Sequence, residues 1–154
     1  MALEDDIAAL AGAPLLGHFD RDALRLLAFA AESRSLKAGD VLFRRGDRSD
    51  GGYVVTRGRI ALDSGEDGDP TDFIAETGAL VGRTALFVRV NRPATATARE
   101  TSAVLRISPT LMRRVLEEFP EAAAAIQETL ASELGLLSGG LEQIRRRLLV
   151  IGEP

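Results

Sequence analysis

The segment richest in chemistry runs from Gly78 to Ala98. Gly82 is followed by Arg83-Thr84-Ala85-Leu86-Phe87, and Arg92 opens the run Arg92-Pro93-Ala94-Thr95-Ala-Thr-Ala98. A glycine leading into a short helical turn aims main-chain N–H groups at one point, which is how a chain cradles a phosphate. An arginine at the mouth of a strand of small residues can return its planar fork to that point. The chemistry is anion capture by backbone plus one guanidinium. The same spacing also describes a tight corner between two barrel strands.

Material for catalysis is scarce. The chain holds one histidine and no cysteine. His18 lies among Leu16, Gly17 and Phe19 without periodicity and reads as a structural or surface residue. No spacing of carboxylates or histidines selects a metal, and Asp67-Gly-Asp69 is more simply a solvated turn. Neither a Gly-x-x-x-x-Gly-Lys loop nor a Gly-x-Ser-x-Gly elbow occurs, so the expectation is a protein that is not an enzyme, with no catalytic residue, metal or cofactor. Arg145-Arg-Arg147 is expected to offset a helix dipole on a solvated face rather than to bind nucleic acid.

The elements that would position the anion site follow from punctuation and periodicity. Asp20 caps a helix expected over 21–32. Beyond Ser35 the texture becomes that of short strands: Val41–Phe43, Tyr53–Val55, Arg59–Leu62, Phe73–Ala75, Ala94–Ala98 and Ala103–Ile107. They are separated by turns at Leu36–Asp40, Gly46-Asp47, Gly51-Gly52 and Gly58, with a polar tip at Ser64–Pro70. Such spacing is that of a sandwich or barrel. Ser108 caps a further helix with Pro109 at its first position, and Pro120 ends that helix and can open the next. Leu130, Leu134, Leu137, Leu141, Ile144 and Leu148 then form a heptad seam, interrupted by Gly139-Gly140, that is expected to pair two copies as a homodimer, the alternative being a helix packed on its own barrel.

With 154 residues, 45% hydrophobic and 27% charged, one folded domain over 1–154 is expected. Residues 1–34 read as N-terminal helices, 35–107 as a β region containing the 78–98 cassette, and 108–150 as C-terminal helices. The net charge of −4 argues against DNA as a direct partner. No stretch approaches about 18 apolar residues, and the start Met1-Ala-Leu-Glu-Asp-Asp-Ile7 is acidic where a signal peptide is basic, so no membrane partner and a cytoplasmic address are expected.

On these residues the chain resembles the cyclic-nucleotide-binding domain family. Ala38-Gly-Asp-Val-Leu-Phe43 with Gly46-Asp47 is similar to the family's Pro-Gly-x-x-Ile and Gly-Asp/Glu turns, and Tyr53-Val-Val-Thr-Arg-Gly58 to its Tyr/Phe-x-Ile/Val-x-x-Gly. Val81 to Leu86 and Asn91 to Thr95 are similar to its cassette, Phe-Gly-Glu-Leu/Ile-Ala-Leu, then Pro-Arg-x-Ala-Thr/Ser. The resemblance spans about Phe19 to Leu148. It implies a mainly β fold with flanking helices: a jelly-roll-like β-roll of about eight strands, also described as a double-stranded β-helix, with N-terminal helices and a long C-terminal helix that dimerises or moves as a lid. It further implies a phosphate site made of Gly82, Arg83, Thr84, Ala85, Leu86, Arg92, Pro93, Ala94 and Thr95. Arg92 would hold the phosphate of cyclic AMP or cyclic GMP, and N–H groups near Ala85 and Leu86 would complete the cradle.

Two positions depart from the family pattern. Arg83 stands where the family has a glutamate that accepts from the ribose 2′-hydroxyl, and Pro93 has no N–H to donate. Only Leu149 to Pro154 follows the seam, too few residues for a helix-turn-helix. The expectation is a ligand-sensing regulatory module that takes a cyclic nucleotide or another small anion and does not bind DNA. The alternative is a degenerate domain kept for dimerisation or protein docking.

Overall fold

The computed structural model describes residues 2–65, 71 and 73–132. Two helices, α1 (Ala2–Gly12) and α2 (Arg21–Ala30), precede the sheets and are joined through a 3-10 turn at Leu16–His18. Asp20 caps α2 as its sequence predicts, Oδ1 accepting from the Ala23 N–H at 2.9 Å. Helix α2 ends two residues before the expected Glu32, because Glu32–Leu36 forms a strand, β1. The other strands are β2 (Val41–Phe43), β3 (Gly52–Arg57), β4 (Ile60–Asp63), β5 (Phe73–Ala75), β6 (Leu80–Val81), β7 (Thr95–Ala98) and β8 (Ser102–Ile107).

The strands form two antiparallel four-stranded sheets, ordered β1-β8-β3-β6 and β2-β7-β4-β5. Alternation along a strand sends successive side chains to opposite faces. In β3, Tyr53 and Val55 therefore enter the core between the sheets with Ile60, Ala75, Ala96, Ala98 and Val104. Val54 faces the other way, into a second core with Leu105, Ile107 and the helices. Strand β3 is covered on both faces, which explains its unbroken apolar run.

Ser108 caps α3 (Pro109–Glu118), accepting from the Leu111 N–H at 3.1 Å, and Met112 and Val115 anchor that helix in the second core. Helix resumes at Pro120 and continues through 132. Leu130 packs against the second core. Leu134, Leu137, Leu141, Ile144 and Leu148, the Gly139-Gly140 interruption, Arg145–Arg147 and the Asp67-Gly-Asp69 turn lie outside the described residues. No helix among the described residues is long and apolar enough to cross a membrane.

Candidate functional site

The loop between β2 and β3 is sewn to the segment ahead of β7. The Gly46 N–H donates to the Arg92 carbonyl at 2.8 Å and the Arg92 N–H to the Asp47 carbonyl at 2.7 Å. Ser49 and Val90 exchange two bonds: the Ser49 N–H reaches the Val90 carbonyl at 2.8 Å, and the Ser49 Oγ accepts from the Val90 N–H at 2.9 Å. With its backbone fixed on both sides, Arg92 turns its side chain inward at the end of the inter-sheet core.

Arg92 is 2% exposed. Its Nη2 donates to the Gly51 carbonyl at 2.7 Å and to Asp50 Oδ1 at 3.2 Å. The guanidinium lies 4.1 Å from the centroid of Phe43 and 5.4 Å from that of Tyr53, a cation held over two rings. Its Nε–H is buried with no hydrogen-bond partner among the described residues. A buried donor left unpaired costs about 1–3 kcal/mol, so this atom is a place where an acceptor would be gained.

Gly82 sits directly against this guanidinium. It has φ +80°, and a Cβ built there would lie 2.7 Å from Arg92 Nη1 and 3.9 Å from the Gly51 carbonyl oxygen. Gly51 is similarly constrained: at φ +147° a Cβ would meet the Ile107 carbonyl oxygen at 2.5 Å. Both glycines let backbone approach where a side chain would not fit.

The expected helical turn is present as a 3-10 turn at Thr84–Leu86, with Arg83 at its N-cap position. The N–H groups expected to complete the cradle are bonded within this turn. The Ala85 and Leu86 N–H groups donate to the Gly82 and Arg83 carbonyls at 3.0 and 3.1 Å, so they close the turn instead of facing an anion. A helical turn leaves its first amides without internal partners, which moves any main-chain contribution toward the Gly82 end.

Ala85 and Leu86 are buried, Leu86 in the second core, while Thr84 and Pro93 are exposed. Arg83, Ala94 and Thr95 are half-buried, and the Thr95 Oγ1 accepts from the Arg45 N–H at 2.9 Å. The structure thus gathers Gly82, Ala85 and Arg92 and gives Leu86 and Thr95 packing or loop-tying roles. His18 is exposed, its Nε2 2.8 Å from Thr129 Oγ1.

Asp50, the Gly51 carbonyl, Phe43 and Tyr53 complete the site and were not among the residues singled out for it. Asp50 is the hub. It accepts from the Tyr53 hydroxyl at 3.0 Å and pairs with Arg34 at 3.4 Å and Arg92 at 3.2 Å. Burial pushes its carboxyl up, but the Tyr53 bond and the charges of Arg106, Arg34 and Arg92 outweigh this and hold it below the usual aspartate range. Burial, with the Asp50 charge beside it, pushes the Tyr53 phenol up to about 12, so it remains a donor. The available signal was a carboxylate before a glycine pair at the head of an apolar strand.

Two antiparallel four-stranded sheets with an inward arginine between them and flanking helices define a β-roll. The cyclic nucleotide-binding domain model matches residues 33–119, and the chain belongs to that family. The cyclic nucleotide-binding-like protein of Brucella abortus is 39% identical, with coverage of 73% of this chain and 98% of that one and a TM-score of 0.66. The N-terminal domain of a transcriptional regulator from Streptomyces coelicolor A3(2) is 28% identical over 86% of this chain and 94% of that one, with a TM-score of 0.78. A candidate potassium channel protein of Rhodopseudomonas palustris is 24% identical over 82% of this chain. The chain spans 31% of that protein's length and 7% of the other curated relatives it matches.

Proposed function

We propose that the chain is a ligand-sensing regulatory module that receives the phosphate of a cyclic nucleotide at Arg92. The observation that carries this reading is the buried guanidinium with an unpaired Nε–H, packed against Gly82. Asp50 and the Gly51 carbonyl occupy only Nη2, leaving the rest of the fork for an acceptor. The groups gathered here bind and orient; they offer no nucleophile.

Burial makes binding and movement inseparable. Arg92 is buried with Gly82 packed against its Nη1, so an anion reaches it as the Gly82 end of the turn shifts. Leu86 and Phe87 belong to the same core as Met112 and Val115 of α3, so a displaced turn repacks the helices. Binding energy enters as differential affinity for the two packings. The net charge of −4 supports a role that does not involve DNA contact by this domain.

The test is calorimetric titration with cyclic AMP and cyclic GMP, repeated on Arg92→Ala after circular dichroism shows that the variant is folded. Heat from the natural chain and none from the variant is expected. Arg83→Glu, which restores an acceptor for the ribose hydroxyl, is expected to tighten binding by roughly ten- to a hundred-fold, the worth of a charge-assisted bond of ~1.5–3 kcal/mol. No heat from either nucleotide at millimolar concentration overturns the reading and leaves the domain as a dimerisation or docking module.

A further inference from the structure

A cleft of about 390 Å³ opens between the 3-10 turn and the start of α3, apart from the buried side of Arg92. Three arginines line it from three elements: Arg89 from the loop after the turn, Arg106 from β8 and Arg113 from α3. Arg106 is already committed, pairing with Glu32 at 3.0 Å and donating to the Asp50 carbonyl oxygen at 2.6 Å. Arg89 and Arg113 are exposed and have no acidic partner among the described residues. The one carboxylate in the lining, Asp50, is held by Tyr53, Arg34 and Arg92. The helix terminus adds little, since Ser108 Oγ already takes the Leu111 N–H.

The same cleft has an apolar wall. Phe87 and Pro109 are half-buried, and Val88 is 53% exposed, one of few large apolar side chains left in solvent among the described residues. Two uncompensated guanidiniums beside an apolar strip, on a chain whose net charge is −4, form a local reversal of sign. A site of that kind draws in an opposite charge and excludes like-charged partners.

We propose that this cleft is a docking surface for a carboxylate-rich protein segment that carries an apolar residue beside its acidic ones. Arg89 and Arg113 take the carboxylates, and Val88 and Phe87 take the apolar side chain. A bare phosphate satisfies only the first half of this chemistry. The inference is independent of nucleotide binding, and its test contains no nucleotide.

The experiment is fluorescence anisotropy of a fluorescein-labelled peptide, Glu-Glu-Leu-Phe-Asp-Asp, titrated with the intact chain in low salt. Saturable binding is expected, weakening at least tenfold between 50 and 300 mM salt, estimates that follow from screening of exposed charges. The amide peptide Gln-Gln-Leu-Phe-Asn-Asn and the apolar-free peptide Glu-Glu-Ser-Ser-Asp-Asp are each expected to bind about tenfold more weakly. Arg89→Glu with Arg113→Glu, at exposed positions where substitution leaves the fold intact, is expected to abolish binding with an unchanged melting temperature. Equal binding of the amide peptide, retention in the charge-reversed variant, or displacement by inorganic phosphate at the peptide's own affinity each overturns the proposal.

Discussion

Arg92 and the arginines of the α3 cleft share one wall, Asp50, and are held in opposite ways. Arg92 is 2% exposed, tied to a carbonyl and a carboxylate and laid on two rings, so its position belongs to the fold as much as any core residue. Arg89 and Arg113 stand in solvent without an acidic partner among the described residues, and their contribution is a field rather than a contact. The difference teaches that one residue type serves two purposes here. Under the proposed readings, the buried guanidinium is a receptor whose use requires rearrangement, while the exposed ones are available without it.

Removing Arg92 tests this contrast most severely. Arg92→Ala empties the space beneath Gly82 and leaves the Gly51 carbonyl without its donor, so a loss of roughly 2–4 kcal/mol in urea denaturation is expected. A loss under 1 kcal/mol would make Arg92 as peripheral as Arg89.

Next is Gly82→Ala, which strains a backbone at φ +80° and drives a Cβ to within 2.7 Å of Arg92 Nη1. A cost of about 1–3 kcal/mol is expected. Gly39→Ala, at φ +92° with nothing within 4 Å of its Cβ, carries the strain alone. The difference between the two midpoints measures the contact with Arg92; equal midpoints would deny it.

Asp50→Asn probes the shared wall. A carboxyl held below its ordinary range stabilises the fold above that range, and this contribution is lost as pH falls through its folded value. The natural chain is therefore expected to lose stability below about pH 4 more steeply than the variant. At neutral pH the variant is expected to lose only about 1 kcal/mol, because the Asp50 side chain is 49% exposed and screened. Parallel acid limbs in pH-dependent melting would remove Asp50 from this role.

The smallest effect belongs to Arg89→Ala, expected to change stability by less than about 0.5 kcal/mol in the same assay.

What could be read from the chain follows the same division. The Asp20 and Ser108 caps and the Val41–Phe43 and Phe73–Ala75 strands were all legible, because each rests on a local signal. Strand β1 was not: Glu32-Ser-Arg-Ser-Leu36 is mostly polar and exposed, and is a strand because β8 pairs with it. Nor was β6, two residues long and defined by its pairing with Tyr53 and Val54. Asp50 was missed for a related reason. Its meaning comes from Arg34, Arg92 and Arg106, distant in sequence and brought together by the sheets.

The reciprocal bonds between Ser49 and Val90 and between residues 46–47 and Arg92 have a mechanical result. They tie the base of the Arg92 site on both sides, so under the proposed function the part expected to travel is the roof, the 3-10 turn and the helix behind it. In hydrogen–deuterium exchange the amides of Gly46, Ser49, Val90 and Arg92 should stay slow whether or not an anion is present, and the record of the signal should be written only in the opposite wall.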